Sequence, residues 1–167
     1  MMIQRLTPQH AAAYRALMLE AYAKHPHAFT STPDERVALP LSWWEARVAH
    51  GPEAPSIVLG AFADDALLGV AGLAFQTRTK LAHKAKLFGM YVRPETRRTG
   101  VGRQLVEAVL TEAKRRGIEV VQLTVSQPNR SARKLYAACG FAYFGTEPRA
   151  IRTGNTYVAK LHLWQQL

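Results

Sequence analysis

The stretch that decides the fold is G-M-Y-V-R-P-E-T-R-R-T-G-V-G-R-Q-L, residues 89–105. An apolar run ends at Val92, Arg93-Pro94 interrupts it, and a glycine-containing turn leads into a segment of helical periodicity from Val101. Glycine allows backbone turns that are closed to other residues and lets a ligand approach closely. The first amides of a helix have no intrahelical partner, and the helix dipole there favours negative charge. This strand, turn and helix therefore predict a site for phosphate groups.

Arginines flank the turn on both sides, with Arg97 and Arg98 before it and Arg103 after it. Their guanidinium groups can supply charge-assisted hydrogen bonds to phosphate oxygens. Two other phosphate motifs do not fit, because G-x-x-x-x-G-K-[ST] is absent and G-x-G-x-x-G would need a glycine where Leu105 stands. The turn alone is equally compatible with a tightly packed helix start whose arginines are solvated.

A second motif, N-R-S-A-R-K-L-Y at residues 129–136, follows the strand predicted over 118–125 and precedes Gly140. Asn129 is a suitable N-cap, and Tyr136 lies two turns later on the same helix face. We expect both side chains to face a ligand that runs along the starts of the two helices. The alternative is that Asn129 only caps the helix and Tyr136 only packs in the core.

The two motifs together resemble the GNAT superfamily of N-acetyltransferases, and within it a subgroup of small bacterial-type proteins. The resemblance is most specific over residues 86–141 and follows the element order of the whole chain. It implies one GNAT-like domain over residues 1–167, of mixed α/β (α+β) class. The expected architecture is a splayed mixed β-sheet of about six to seven strands flanked by about four helices, with acetyl-CoA in the splay.

The periodicity predicts the order strand, two helices, three strands, helix, strand, helix and two strands. The predicted segments begin and end near 2–6, 8–24, 42–51, 57–63, 67–76, 82–92, 101–116, 118–125, 129–139, 141–146 and 156–164.

The resemblance also implies roles for individual residues, most of them in binding the cofactor. Asn129 would contact the pantetheine, and Tyr136 would approach the thioester sulfur as the catalytic acid. The remaining cofactor-binding residues would be Met90, Tyr91 and Val92 along the pantetheine arm, and Arg97, Arg98, Gly100, Val101, Gly102 and Arg103 at the pyrophosphate.

Acetyl transfer to an amine needs a neutral amine, a donor for the developing oxyanion, and a proton or hydrogen bond for the departing thiolate. A backbone N–H near residues 90–92 is the expected oxyanion donor. The strand over residues 83–91 contains no carboxylate, although many relatives carry a glutamate there. We expect water, His83, Glu20 or another distant group to take the proton of the amine, and His83 is equally typical of an ordinary polar residue at a strand end. The single cysteine, Cys139, is interpreted as a small packed hydrophobe, and no metal is expected.

The acceptor cleft is expected to lie among residues of the N-terminal third, the strand before the turn and the last strand. Relatives often carry acidic residues in that last strand, where this chain has Ala159 and Lys160. The candidate acceptor-side residues are Glu20, Phe29, Trp43, His83 and Tyr157.

Basic residues outnumber acidic ones by ten, 22 against 12, in a chain of 167 residues with ordinary globular composition. Residues 78–136 hold fourteen basic and four acidic residues, and the remainder is balanced. Because this segment contains both motifs, we attribute the excess mainly to the cofactor, and the balanced remainder indicates little about the charge of the acceptor.

The leading hypothesis is an acetyl-CoA-dependent N-acetyltransferase that acts by direct attack of a primary amine, most simply that of a small molecule. One alternative is acetylation of a protein N-terminus or lysine. Another is a non-catalytic acyl-CoA sensor, which the missing strand glutamate motivates.

Other partners have little support in the sequence. Nucleic-acid binding would rest on charge alone, and the apolar runs fall far short of the roughly 20 residues that span a bilayer. No continuous apolar leader begins the sequence, so a cytoplasmic location is expected. A homodimer could form through the last strand, where Tyr157, Ala159, Leu161 and Leu163 alternate on one side.

Overall fold

A computed structural model, which describes residues 1–167, has one mixed seven-stranded sheet with helices on both faces. The strands are β1 (Met2–Arg5), β2 (Ser56–Ala63), β3 (Ala66–Phe75), β4 (Lys84–Val92), β5 (Val120–Ser126), β6 (Ala142–Thr153) and β7 (Thr156–Gln166). The helices are α1 (Ala11–Lys24), α2 (Pro33–Val37), α3 (Leu41–Arg47), α4 (Val101–Arg115) and α5 (Arg130–Ala138). Short 3-10 turns occupy Pro8–His10, Thr79–Leu81 and Pro94–Thr96.

The sheet order is β1-β2-β3-β4-β5-β7-β6, and every neighbouring pair is antiparallel except β4 and β5. The parallel pair is joined by the crossover helix α4, as parallel strands require. Its register covers only Lys84 to Lys86 against Val120 to Gln122. Beyond that point β5 continues against β7 as far as Ser126, while β4 diverges. The splayed mixed sheet predicted from the sequence is therefore confirmed.

A β-bulge bends β4 inside this splay. Tyr91 pairs with Val70 and Phe88 with Gly72, so β4 carries one more residue than β3 over this stretch. Gly89 has φ +58°, a conformation that glycine adopts without steric cost. Such a bulge re-aims the side chains that follow it.

Two hydrophobic clusters lie on opposite faces of the sheet. One joins α4 and α5 to the strands through residues such as Leu105 and Leu123. The other joins α1 and α3 to β2, β3 and β4 through residues such as Leu17 and Trp44. This second cluster contains no residue of β5, β6 or β7, so on that face the second half of the sheet has no helix over it.

The element order predicted from the sequence is confirmed, with five helices instead of about four. The additional helix is α2, a single turn with reciprocal capping between Thr32 and Glu35. The strand predicted to end near Thr146 extends to Thr153 through an irregularity at Arg149, whose φ is +51°. One turn of helix and an irregular strand both lack the longer periodicity that identifies an element from sequence.

Hydrogen-bonded pairing of the last strand with a second copy is not compatible with this topology, whereas a homodimer through its side chains stays a prediction. Strand β7 lies between β5 and β6, so the hydrogen-bonding groups on both of its edges already have partners. The free edge on this side of the sheet belongs to β6, and only an edge strand can add another chain.

We predict that Leu105→Ala lowers the free energy of unfolding by about 2–5 kcal/mol, the usual cost of a buried Leu-to-Ala change. Leu105 is completely buried between α4 and the sheet. Urea denaturation measures the effect. The matched control is Leu41→Ala, because the Leu41 side chain is 47% exposed and should lose less than about 0.5 kcal/mol. Equal losses in the two variants would contradict this assignment of the core.

Candidate active site

The splay brings together two side chains that are 46 residues apart in the sequence. The Tyr136 hydroxyl donates to Met90 Sδ at 3.5 Å. Met90 lies on the part of β4 that has left β5, and Tyr136 comes from the last turns of α5. The Tyr136 ring also packs edge-on against Phe141. A thioether is a weak acceptor, so this buried hydroxyl has no strong hydrogen-bond partner of its own.

Burial controls the ionisation of the groups around this contact. It raises the pKa of Tyr136 well above its ordinary value, with a further contribution from Cys139. The hydroxyl therefore stays protonated through the neutral and moderately alkaline range. Burial also raises the pKa of the Cys139 thiol, with a smaller contribution from Glu107. Cys139 packs against the core as a partly buried thiol, as the sequence predicted.

The start of α4 faces the same region and offers free backbone donors. Gln104 is the first amide of the helix with an intrahelical acceptor, the carbonyl of Gly100 at 3.0 Å. The three preceding amides have none, as at any helix start. Gly100 has φ +91° and Arg98 has φ +65°, so the turn projects its backbone in a left-handed conformation. An anion placed here would meet amides and the positive end of the helix dipole.

Gly102 brings the helix start close to β4 and α5. A Cβ at this position would lie 3.2 Å from Leu135 Cδ2 and 3.4 Å from Met90 Cε. A side chain at position 102 would push against both neighbours. Because glycine has no side chain, α4 can lie close to Met90 and α5. The free amides and this close packing fit a ligand with a diphosphate at α4 and a thin arm passing Met90.

The three arginines predicted at the pyrophosphate differ in their contacts. The Arg97 guanidinium contacts the Val92 carbonyl and His25 Nε2, both at 3.0 Å. Arg103 Nε donates to Glu107 at 2.7 Å. The exposed Arg98 side chain has no hydrogen bond or ion pair. Of the three, Arg98 is the one available to an anion without breaking an existing contact.

Asn129 caps α5 as predicted. Its Oδ1 accepts from Ala132 N and from Ser131 Oγ, each at 3.3 Å.

The Tyr91 side chain lies on the opposite face from Met90. Its hydroxyl donates to Glu20 Oε1 at 3.0 Å, and burial together with Glu20 raises the pKa of Tyr91 to about 12. Val92, on the same side as Met90, lies near the Gly102 position. Of the three residues predicted along the pantetheine arm, Met90 and Val92 therefore point toward α4, whereas Tyr91 can contribute only its backbone there.

Glu20 belongs to a polar cluster that joins α1 to the end of β4. Its carboxylate lies 3.2 Å from Lys24 Nζ and 3.8 Å from Arg93 Nε. Burial opposes its charge, but hydrogen bonds from Tyr91 and Lys24 outweigh burial and lower the pKa of Glu20. The sequence identified Glu20 as a candidate but did not predict its contact with Tyr91. The two residues are 71 positions apart, and no local pattern connects them.

His83 lies outside this site. It immediately precedes β4, seven residues and about 23 Å along an extended strand from Met90. Its carbonyl accepts from the amides of Glu119 and Val120, at the end of the sheet where β4 and β5 are still paired.

The aromatic acceptor-side candidates separate into different surroundings. Phe29 packs edge-on against Tyr22 at 5.4 Å. Trp43 lies on α3 with the guanidinium groups of two arginines 4.4 and 4.9 Å from its ring centroid. The Arg149 guanidinium lies 3.9 Å from the centroid of the Tyr157 ring. Because side chains alternate along a strand, Tyr157 is on the same face of the sheet as Leu161, the face that packs against α5.

The face of β4, β5 and β7 on the α1 and α3 side is reached from solvent, and we call it the open face. Strand register puts one set of side chains on it, of which Ser126 alone is buried: Lys86, Phe88, Gln122, Thr124, Ser126, Lys160 and His162. The Glu147 carboxylate reaches His162 Nε2 at 3.2 Å. The open face borders the splay from the side opposite α4, so an acceptor there and a cofactor at α4 could meet between β4 and β5.

A separate cleft of about 740 Å³ lies on the far side of α5 and contains none of the predicted site residues. Its lining includes Arg130, Arg133, Leu161 and Leu163. Elsewhere, no cluster of three or more His, Cys, Asp or Glu side chains could hold a metal ion. None of the helices is long and apolar enough to cross a membrane.

Comparison with solved structures shows the same fold over the whole chain. An acetyltransferase of the GNAT family from Streptococcus pneumoniae superposes with a TM-score of 0.89 at 22% identity, over 99% of each chain. Ribosomal-protein-alanine N-acetyltransferase from Brucella melitensis gives a TM-score of 0.81 at 21% identity, over 100% of each. The yncA structure from Salmonella typhimurium, solved with its cofactor acetyl-CoA, gives 0.82 at 21% identity, over 100% of this chain and 94% of that one.

Among curated proteins, the [ribosomal protein bS18]-alanine N-acetyltransferase of Escherichia coli is 35% identical over 68 residues. The match covers 41% of this chain and 46% of that enzyme, so it spans about half the length of the curated relative. The sequence profile of the acetyltransferase (GNAT) family matches residues 13–141, which is most of the chain and includes both motifs. The chain therefore belongs to the GNAT family of acetyltransferases, whose cosubstrate is acetyl-CoA.

Proposed function

We propose that the protein is an N-acetyltransferase that moves an acetyl group from acetyl-CoA to a primary amine by direct attack within a ternary complex. The observation that carries this proposal is the Tyr136 hydroxyl, buried in the splay beside Met90 with no strong acceptor of its own. In the reaction the amine nitrogen forms a bond to the carbonyl carbon, the carbon–sulfur bond breaks, and the products are an amide and the CoA thiol.

Tyr136 would act on the departing sulfur. A hydroxyl whose pKa is raised by burial remains a neutral donor, so it can stabilise a developing thiolate by a hydrogen bond. A raised pKa also makes it a weak acid, so the proton finally bound by the thiol would come from the nitrogen after the neutral amine has added to the carbonyl carbon, or from water. A thioether is the partner that Tyr136 would give up most easily for the sulfur of the substrate.

The oxyanion would be stabilised by backbone amides of β4. Beyond Lys86 this strand has no neighbour on its β5 side, so the amides that point into the splay lack a strand partner. The bulge at Gly89 re-aims the backbone at this level. Fixed amide dipoles in a partly buried site are well suited to charge that develops during acyl transfer.

The diphosphate of CoA would bind at the start of α4, with the amides of residues 101–103 and the Arg98 guanidinium as donors. The pantetheine arm would then run past Gly102 and Met90 toward Tyr136. Asn129 would hold the start of α5 beside it through its cap.

We infer that the acceptor loses its proton to water on the open face. Glu20 is a poor base, because its hydrogen bonds from Tyr91 and Lys24 stabilise the ionised form. His83 is about 23 Å along the strand from Met90, too far to reach the amine. A solvent-exposed approach supplies water directly.

The acceptor can be a small molecule or a peptide amine. The sequence favoured the small molecule as the simpler hypothesis. The partial match to an enzyme that acetylates an alanine of a ribosomal protein favours a peptide as the second candidate, and an uncovered face three strands wide is compatible with an extended chain. Rates with free amino acids, peptide N-termini and lysine side chains would distinguish them. A non-catalytic sensor would bind CoA but release none from acetyl-CoA with any amine.

We predict that Tyr136→Phe lowers kcat at least tenfold, because the departing sulfur loses its hydrogen-bond donor. The dissociation constant for acetyl-CoA should barely change, since the ring and its packing against Phe141 remain. Steady-state kinetics and calorimetry measure the two quantities. Tyr143→Phe is the control, because the Tyr143 hydroxyl bonds Thr146 on the exposed strand β6. An unchanged kcat in Tyr136→Phe would remove this residue from the mechanism.

We predict that Arg98→Gln weakens CoA binding about tenfold, the effect of losing one charge-assisted hydrogen bond of about 1.5 kcal/mol. Calorimetry with CoA measures the change, and kcat at saturating acetyl-CoA should be unaffected. Arg115→Gln, at the opposite end of α4, is the control and should leave the affinity unchanged. A similar loss in both variants would indicate a general effect of charge and would argue against a diphosphate at the turn.

We predict that kcat/KM increases about tenfold per pH unit below the pKa of the acceptor amine, about 8 for an α-amine and about 10.4 for lysine. The neutral amine is the attacking species, so the profile should shift with the acceptor. Glu20→Gln should leave its shape unchanged. A plateau at the same lower pH for both acceptors would instead indicate a basic group of the enzyme.

A further inference from the structure

The open face is bordered by four cationic side chains that have no acidic partner. Arg36 and Arg47 come from α2 and α3, Lys86 from β4 and Lys160 from β7. No carboxylate lies within 4.0 Å of any of them. Three of the four are partly buried, so their charges are only partly screened by water.

Aromatic contacts fix two of these cations beside β4. The guanidinium groups of Arg36 and Arg47 lie 4.4 and 4.9 Å from the centroid of Trp43. Arg47 also lies 5.1 Å from the Phe88 ring. Phe88 is two residues from Lys86 on the same side of β4, so Arg47 and Lys86 border the same part of the open face. Trp43, an acceptor-side candidate from the sequence, thus orients the arginines.

Lys160 completes the group from the other side of the splay. It pairs with Ser126 on β5, and strand register puts it on the same face as Lys86. Burial lowers the pKa of Lys160, the positive charge of Lys86 lowers it further, and Glu147 opposes the change. The charge at Lys160 is therefore incompletely compensated, and a bound anion would stabilise it.

The acids nearest to this group form no ion pair with it. Glu147 lies opposite Lys160 in the β6–β7 register, and its carboxylate contacts His162 Nε2 at 3.2 Å. Glu35 accepts from the backbone of Thr32 to cap α2. Asp34 and Glu45 make no ion pair.

We propose that the acceptor amine carries a carboxylate or phosphate group, which binds on the open face between Arg47, Lys86 and Lys160. This inference rests on the proposed acetyl transfer and adds the substrate class. Phe88 and Lys86 lie about 7 and 13 Å along β4 from Met90, so the anionic group would bind within about 13 Å of the splay along the same strand. Aspartate-like or phosphorylated small amines and peptides with acidic residues close to the N-terminus have this chemistry.

The balanced charge outside residues 78–136 indicated little about the acceptor. Arg36, Arg47 and Lys160 all come from this balanced part, and the acids nearest to them, such as Glu147 across the strand pair from Lys160, form no ion pair with them. The sequence contains these charges, but only the topology brings them together.

Acceptors that differ only in charge test the proposal. Suitable pairs are glutamate and glutamine, O-phosphoethanolamine and ethanolamine, and tetrapeptides with glutamate or glutamine after an N-terminal alanine. We expect kcat/KM for at least one acidic member to exceed that of its neutral partner by tenfold or more. Comparing the free amines with the peptides shows whether the anionic group belongs to a small molecule or to a peptide.

Two substitutions test whether the lysines of the open face bind the anionic group of the acceptor. Lys160→Gln and Lys86→Gln should each lower kcat/KM for the preferred acidic acceptor at least fivefold, and should leave the neutral acceptor and the KM for acetyl-CoA unchanged. The matched control is Lys114→Gln, on an exposed position of α4 across the sheet, which should change none of these values.

The outcomes separate this inference from the proposed function. Equal kcat/KM for acidic and neutral acceptors, or an equal loss in Lys114→Gln, would overturn the anionic acceptor while leaving acetyl transfer intact. Failure of every amine to release CoA would instead overturn the proposed function itself.

Discussion

The parallel contact between β4 and β5 is only three residue pairs long, and the arrangement of the site depends on this limit. Parallel strands need a crossover helix, and here that helix, α4, starts beside the end of β4 where the two strands have separated. The same separation leaves the amides of β4 without partners on one side. One topological feature thus provides the gap, the helix start and the free donors.

Each side of the gap has a different chemistry. On the α4 and α5 side the surroundings are apolar around Met90 and Tyr136, with free amides at the helix start. On the α1 and α3 side the surroundings are polar, with Glu20 bound to Tyr91 and with the cations of the open face. Because β4 alternates its side chains between the two faces, Met90 and Tyr91 belong to different sides although they are neighbours in the chain. A donor and an acceptor could therefore approach the same backbone from opposite directions.

Much of the fold was predictable because its signals are local. The glycine turn, the stripe of α4, the cap at Asn129 and the stop at Gly140 each involve residues within a few positions of one another. The short helix α2 and the irregular part of β6 lack such periodicity and were missed. The site was harder to predict from the sequence than the fold, because the contacts of Tyr136 with Met90 and of Tyr91 with Glu20 join distant segments. A motif also does not show which contacts its side chains make. The motif predicted that Arg97 binds phosphate, whereas its guanidinium contacts Val92 and His25.

The central claim, that the acetyl group passes directly from the thioester to an amine in the splay, is tested most directly by a single turnover followed by intact mass. Enzyme in excess over acetyl-CoA is mixed with an amine, and the protein and product are measured over time. Direct transfer predicts that acetylated amine and free CoA form at the same rate, with the mass of the protein unchanged. An acetylated protein that forms before the product and then decays, for example on Cys139, would contradict it.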